Sequence, residues 1–561
     1  MSEDSAQSEV SLAILKALEI AVKSELLAVN LPNEVILERP KNRDHGDYAT
    51  SIALTLARES KLQPKLVAQI IIDSLISNDL LSSCGIEKIE IAGPGFINIT
   101  LNTASQAAVV AKIVSQGKKY GSGNTLVGRR INLEFVSANP TGPLHLGHTR
   151  WAAVGDALGR VLSAVGAQVT REFYVNDRGN QMDLFGASIR AAALKNPRPE
   201  DGYHGQYIED LAKIITTSNP EFIKLPEAQS IAAFRDAGYK LQLEQQNLVL
   251  KSFGTNFDVW FSEKSLYENN FFDHTLDKLK AEGHVYELDG ATWLRTTDFG
   301  DDKDRVMIKS DGSFAYFASD SAYYISKRER GFNLCIYMLG ADHHGYVGRI
   351  KAIAACAGDD KDNDVEVLIG QMVKVIEAGE EVKLSKRAGT IITLEELVEK
   401  VGKDAARYTL IRYPTDTPMV MDIDLLRKHT NDNPVYYVQY AHARICAVLR
   451  NAKEYKIGFD LNHFKPELLV HERERELIGL LAEFPKVVAG AAMVREPHRI
   501  ARYIEDVAGL YHRFYNDCRV LPLGDEIPSQ LNSSRATLCL ATAQVISNGL
   551  DLLGVSAPER M

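Results

Sequence analysis

The chain lacks most features that would mark it for export or for a membrane. Its six cysteines, at 84, 335, 356, 446, 518 and 539, are scattered with no C-x-x-C pair. That excludes a disulfide scaffold, and reduced thiols in a cytoplasmic protein are expected. No apolar run approaches the length needed to cross a bilayer. The opening residues MSEDSAQSEVSLAILKALEI are acidic and polar before a helical pattern begins, which fits neither a secretory signal nor an Arg-rich transit peptide. There is no internal repeat and no low-complexity tract. A basic excess is missing too: 64 Lys and Arg stand against 74 Asp and Glu, a net charge of −10. Any nucleic-acid partner must therefore be met by local basic faces.

What is present is ordinary soluble composition, 45% hydrophobic and 25% charged, over 561 residues. That length is too great for one core and predicts about two to four domains. Residues 1–117 alternate helical and strand patterns. SLAILKALEIAVKSELL has helical spacing, and IEKIEIAGPGFINITLN reads as strand, Gly-Pro-Gly turn, strand. The Gly-rich, basic stretch 118–130 marks a boundary. Residues 118–431 then repeat strand and helix: RINLEFV, the helix after Gly147, QVTREFYV, NDRGNQMDLFGASIRAAAL, and later FNLCIYML and DVEVLIGQ. This rhythm predicts a parallel sheet with crossover helices. A turn-rich stretch and a polar helical run over about 195–255 read as an insertion. From 432 to 561 the strand signals thin out, and four amphipathic segments predict a helix bundle.

The most specific stretch is EFVSANPTGPLHLGHTR, 134–150. His145 and His148 flank Leu146-Gly147 at the point where a strand and a Pro-rich turn give way to a helix. In an open parallel sheet this is where ligands bind, beyond the strand ends and against a helix N-terminus. Gly147 permits close approach to the backbone, and imidazole N–H groups donate to phosphate oxygens. A capping turn with one buried histidine is the bland alternative. Further on, VKVIEAGEEVKLSKRAGT reads as a hairpin followed by a loop carrying Lys383, Ser385, Lys386 and Arg387, three cations in five residues. A mobile anion clamp and a solvated charge run both fit such a loop.

Taken together, HLGH and KLSKR resemble the two signatures of class I aminoacyl-tRNA synthetases, with Leu384 and Arg387 departing from the usual loop. The wider wording, in EFVSANPTGPLHLGHTR, YVNDRGNQM, LGADHHGY, KLSKRAGT and DNPVYYVQYAHARI, resembles the arginyl-tRNA synthetase family over nearly the whole chain. The resemblance implies an α/β fold: a Rossmann-like catalytic domain between an α+β N-terminal domain and an all-α anticodon-binding domain. It implies ATP with Mg²⁺, L-arginine and tRNA(Arg) as partners, no membrane, and activation that needs tRNA present. His145, His148, Lys383 and Lys386 are the implied catalytic residues, and Gly147, His145, His148, Ser385 and Lys386 the implied nucleotide contacts. Glu134, Tyr316 and Asp320 are the implied readers of arginine's side chain. Ser137 and Asn139 would hold its backbone groups, with Asp342 nearby and Glu263 a weaker candidate. A monomer is expected.

Chemistry favours the same substrate. Guanidinium is a permanently charged planar fork, and a selective pocket needs carboxylates to meet it. Two other readings compete. Asp342-His343-His344 is also a metal-ligand triplet of certain phosphoesterases, although no companion Asp motif precedes it. A catalytically silent RNA binder is the other. In the bundle, Arg495, Arg499, Arg502, Arg513 and Arg519 are interleaved with Tyr503, Tyr511, Phe514 and Tyr515, which suits either single-stranded RNA or ordinary helix packing.

Overall fold

A computed structural model describes residues 6–40, 45–268, 271–382 and 392–561. Lys383, Ser385, Lys386 and Arg387 lie outside the described residues. The first unit is an antiparallel sheet of order β1-β3-β2, from β1 (Tyr48–Thr50), β2 (Ile86–Ala92) and β3 (Phe96–Leu101). Helices Ala6–Lys23, Ile52–Ser60 and Pro64–Ser77 pack with it around Ile14, Leu18, Ile71, Leu75, Ile97 and Ile99. This core ends at Leu101. The helix Thr103–Gln116, grouped with the first domain by the sequence reading, instead places Val110 and Ile113 in the large central core.

The central strands are β4 (Arg130–Glu134), β5 (Gln168–Val175), β6 (Val259–Ser262), β7 (Val285–Leu288), β8 (Ala291–Leu294), β9 (Arg305–Ile308), β10 (Leu334–Gly340), β11 (Val365–Gly370), β12 (Val373–Glu377), β13 (Glu380–Glu381) and β14 (Met419–Asp422). Five form one sheet of order β11-β10-β4-β5-β6, parallel throughout. The chain builds outward from β4 through β5 and β6, then returns to add β10 and β11 on its other side. The sheet therefore reverses direction between β4 and β10, the crevice where ligands bind in such sheets. Helix Leu146–Ala164 crosses from β4 to β5 with Trp151, Val154, Leu158, Val161 and Leu162 buried, as its spacing predicts. Its Gly155 lies against Phe135, where a Cβ would come within 2.3 Å of the ring.

Three further features depart from the sequence reading. β7, β8 and β9 make a separate antiparallel sheet between β6 and β10; their short strands carry too little periodicity to register. The stretch near 195–255 holds helices Gln206–Ser218 and Glu227–Phe253, which pack on Asn180–Ala193 around Phe185, Ile189, Ile208 and Phe234. Its polar run is partly inward-facing: buried Gln246 donates to the carbonyls of Asn139 (3.0 Å) and Gly142 (2.8 Å). The presumed insertion thus braces the turn ahead of the histidines. In the bundle, the second amphipathic segment is two helices, Glu472–Ala482 and Phe484–Met493. Pro485 has no N–H to continue the first and sits well at the start of the second.

The central α/β unit and the bundle are joined by buried charge. Arg407, 0% exposed, donates to Asp156 Oδ2 (2.6 Å) on the crossover helix, to the Phe253 carbonyl (3.1 Å) and to the Leu553 carbonyl (3.1 Å). Removing one partner of a buried pair leaves the other uncompensated. Arg407→Ala should therefore lower unfolding stability by about 3–5 kcal/mol, read as a shift of the urea midpoint; an unmoved midpoint would show that the network contributes nothing.

Candidate functional site

His145 is the N-cap of helix Leu146–Ala164. Its Nδ1 accepts from the Gly147 N–H (3.2 Å), while His148 Nδ1 accepts from the His145 N–H (3.4 Å). The two imidazoles thus cap the helix reciprocally, as a Ser and Glu pair often does. Both δ nitrogens accept, which places the ring protons on Nε2 and makes each ring a donor there. The rings lie 4.0 Å apart between centroids, and neither is buried. The turn is a capping turn, yet it keeps both imidazoles at the crevice. A Cβ on Gly147 would sit 3.1 Å from His145 Cε1, so glycine lets the ring fold back.

The chain returns to this turn much later. Thr393 bridges His145, with the Leu146 N–H donating to the Ile392 carbonyl (3.1 Å) and the Leu394 N–H to the Leu144 carbonyl (3.0 Å). Thr393 is itself an N-cap, accepting from the Glu396 N–H (3.1 Å) at the start of helix Leu394–Val401. Two helix N-termini therefore begin side by side, and their dipoles favour an anion. The predicted hairpin is present as β12 and β13, turning through Ala378 and Gly379 at φ +55° and +79°. The described chain resumes at Ile392, beside the histidine turn.

On the other side of β4's end lies a cluster of acids. Glu134, buried, accepts from Lys327 Nζ at Oε2 (2.6 Å) and from Ser137 Oγ at Oε1 (3.2 Å). Asp320, half-buried on helix Tyr316–Glu329, accepts from the Tyr346 hydroxyl (3.2 Å). Burial pushes the Asp320 carboxyl up to about 7; the Tyr346 hydroxyl opposes this, and the negative charges of Glu263 and Glu134 add to it. Glu263 is buried and also raised, first by burial, with Arg178 opposing and Asp177 reinforcing. The Tyr174 phenol is raised by burial and then by Glu263, Asp320 and Glu134 together. Three carboxylates thus converge on one tyrosine, and Glu263 belongs to the cluster as fully as the other two.

The remaining candidates are placed differently. Tyr316 is 86% exposed, one helical turn before Asp320 on the same face. Asn139 is exposed, its carbonyl engaged by Gln246. Asp342 is exposed beside His343, 3.5 Å away. Tyr174, Tyr323, Tyr346 and Lys327 were not singled out from sequence, because their roles depend on which strands become neighbours.

Three family models match the chain in succession. The arginyl tRNA synthetase N terminal domain covers 8–101, the class I (R) tRNA synthetase catalytic domain 109–442, and the DALR anticodon binding domain 438–561. The catalytic model alone takes in more than half of the chain. The chain belongs to the arginyl-tRNA synthetase family. It performs the ATP-dependent ligation of arginine to tRNA. A Campylobacter jejuni protein assigned as an arginyl-tRNA synthetase aligns at 32% identity and a TM-score of 0.74, over 82% of this chain and 100% of its own. Arginyl-tRNA synthetase of Thermus thermophilus shares the fold at 21% identity and a TM-score of 0.74, over 98% of this chain and 99% of its own. That of Plasmodium falciparum does so at 17% and 0.73, over 99% of each.

Within an arginyl-tRNA synthetase, the phosphoesterase reading of Asp342-His343-His344 falls away. The bundle's aromatics also sort themselves. Tyr503, Tyr511 and Phe514 are buried in its core, and Arg495, Arg499 and Arg519 pair with Glu366, Glu496 and Glu526. A different set is partly open: Tyr436 and Tyr440 stack at 5.8 Å, and Arg444 lies over the rings of Tyr440 and Tyr515.

Arginine's guanidinium favours the ionised form of a carboxyl it meets, whereas the empty pocket favours protonated Asp320. Arginine affinity should therefore be flat above about pH 7 and fall by about tenfold per unit below it. Titration calorimetry across pH 5.5–8.5, with Asp320→Asn as reference, reads the limb; a limb that survives Asp320→Asn would assign it elsewhere.

Proposed function

We propose that the histidine turn and the basic loop grip one ATP, while the acid cluster holds arginine beside it. The supporting observation is the backbone bridge from His145 to Thr393: it returns the end of the basic loop to the histidines. The arginine carboxylate attacks the α-phosphorus, forming one P–O bond as the bond to pyrophosphate breaks. His145 and His148 donate from Nε2, and Lys383 and Lys386 neutralise the departing phosphates, with Gly147 and Ser385 lining the nucleotide. A terminal ribose hydroxyl of the tRNA then attacks the activated carbonyl, and AMP leaves. Such catalysis is positioning and electrostatics, not covalent chemistry by the protein.

Glu134, Asp320 and Glu263 are the readers of guanidinium, with Tyr316 closing over it from the first turn of its helix. Ser137, Asn139 and Asp342 line the part of the crevice nearest arginine's own backbone groups. A neutral analogue would leave buried carboxylates unpaired, which is a strong basis for rejection. Mg²⁺ accompanies the triphosphate. Such an ion is held chiefly by phosphate oxygens.

The half-open Tyr436, Tyr440 and Arg444 face supplies stacking surfaces and a cation for tRNA(Arg); Tyr440 and Arg444 fall in the region matched by an anticodon-binding model, with Tyr436 just ahead of it. A single chain carries every residue named, so no residue of a second copy is called on, and a monomer is the simplest working unit. All six cysteines are free, the usual state in the reducing cytoplasm, where we place the enzyme.

Lys386→Ala should lower turnover in tRNA charging by about 10²–10³, as loss of one transition-state donor does, with arginine KM little changed. Initial rates at saturating substrates test this, and unchanged turnover would remove the loop from the reaction.

A further inference from the structure

We propose that Lys327 is a positioning residue of the arginine subsite, whose buried ammonium locks Glu134 so that a single carboxylate oxygen is presented to the substrate. The inference rests on Glu134 being a reader of arginine. Lys327 is 0% exposed, and its Nζ is 2.6 Å from Glu134 Oε2. The ammonium also lies 3.7 Å from the ring centroid of Tyr337 and 4.3 Å from that of Tyr323, so two aromatic faces hold it from below. The other oxygen, Oε1, is 3.2 Å from Ser137 Oγ, which itself accepts from the Tyr174 N–H (3.2 Å). Glu134 is thereby fixed at both ends, with Oε2 taken by the ammonium and Oε1, beside a single hydroxyl, left with spare acceptor capacity for the substrate.

Glu134 is the one carboxylate Lys327 bonds directly, although its charge also reaches Glu172. From β5, Glu172 is already engaged by Arg330 (2.5 Å) and by the Tyr323 hydroxyl (2.6 Å). From β10, Tyr337 and Cys335 offer no negative charge in exchange, and from β4 the nearest polar side chain on the same face is the buried, uncharged Asn132. Asp320 and Glu263 lie on the crevice side, where Arg349 and Arg178 act on them. Asp320, Tyr323 and Lys327 stand at i, i+3 and i+7, one face of a single helix. One rigid element therefore carries a reader and also holds the other reader in place, which sets the spacing a planar fork must match.

Without the ammonium, Glu134 becomes a buried carboxylate with no counter-charge, held only by the Ser137 hydroxyl, and a proton replaces the lost cation. The test is the pH dependence from 6 to 9 of arginine KM, ATP KM and kcat in tRNA charging, for Lys327→Met, Lys327→Arg and Glu134→Gln. Lys327→Met should raise arginine KM by about tenfold or more, leave ATP KM unchanged and kcat within about threefold, and add a second proton to the acid limb. Lys327→Arg should raise arginine KM less and keep the one-proton limb. A lower arginine KM in Lys327→Met would show that the ammonium competes with substrate for Glu134, and an unchanged profile would show packing alone; either overturns the proposal. If the Met variant does not fold, Lys327→Arg decides, since a wild-type arginine KM there is incompatible with a locked oxygen. Arginine KM unaffected by Glu134→Gln would instead sink the reading of Glu134 on which this rests.

Discussion

Everything in this site depends on a short piece of backbone pairing, between 144–146 and 392–394. Two buried hydrogen bonds of this kind contribute only about 1 kcal/mol each. Their importance is geometric. They join the first crossover helix of the sheet to a segment that follows all five of its strands, and they align two capped helix starts. Gln246 braces the same turn from the long helix before β6, and Arg150 ties the crossover helix to the carbonyls of Gln371, Pro414 and Thr417. The turn is thus over-determined from three sides, as a site needs if it is to hold a triphosphate without rearranging.

The two halves of the crevice use opposite charge. Around the histidines the field is positive, from helix ends and ring donors. Around Tyr174 it is negative, from Glu134, Asp320 and Glu263. A zwitterionic amino acid with a cationic side chain, placed with its carboxylate toward the first and its guanidinium toward the second, is matched at both ends. The acid half is not a simple excess of charge, because Lys327, Arg178 and Arg349 temper it. That balance leaves Asp320 poised near neutrality.

How far this could be read from the sequence follows from how local each signal is. The strand, turn and helix around 130–164 were legible because apolar alternation, a Pro-rich turn and a helical stripe are all written within a few residues of one another. The hairpin before the basic loop was legible for the same reason, through its turn at Ala378-Gly379. Lys327 was not legible. In SAYYISKRERG it reads as one more solvated cation, and only the addition of β10 beside β4 buries it against Glu134. The bundle misled in the opposite direction: Tyr503, Tyr511 and Phe514 look like an RNA surface beside their arginines, yet helical phase turns them inward. Tyr436 and Tyr440, four residues apart, show the outward spacing that would have flagged the open face.

The central claim is that His145 and Lys386, distant in the chain, act on the same triphosphate. A double-mutant cycle of His145→Ala and Lys386→Ala, read by tRNA-dependent ATP–pyrophosphate exchange, measures this directly. The account predicts strong non-additivity, with a coupling of about 1–3 kcal/mol. Losses that simply add would mean that the two segments serve separate sites.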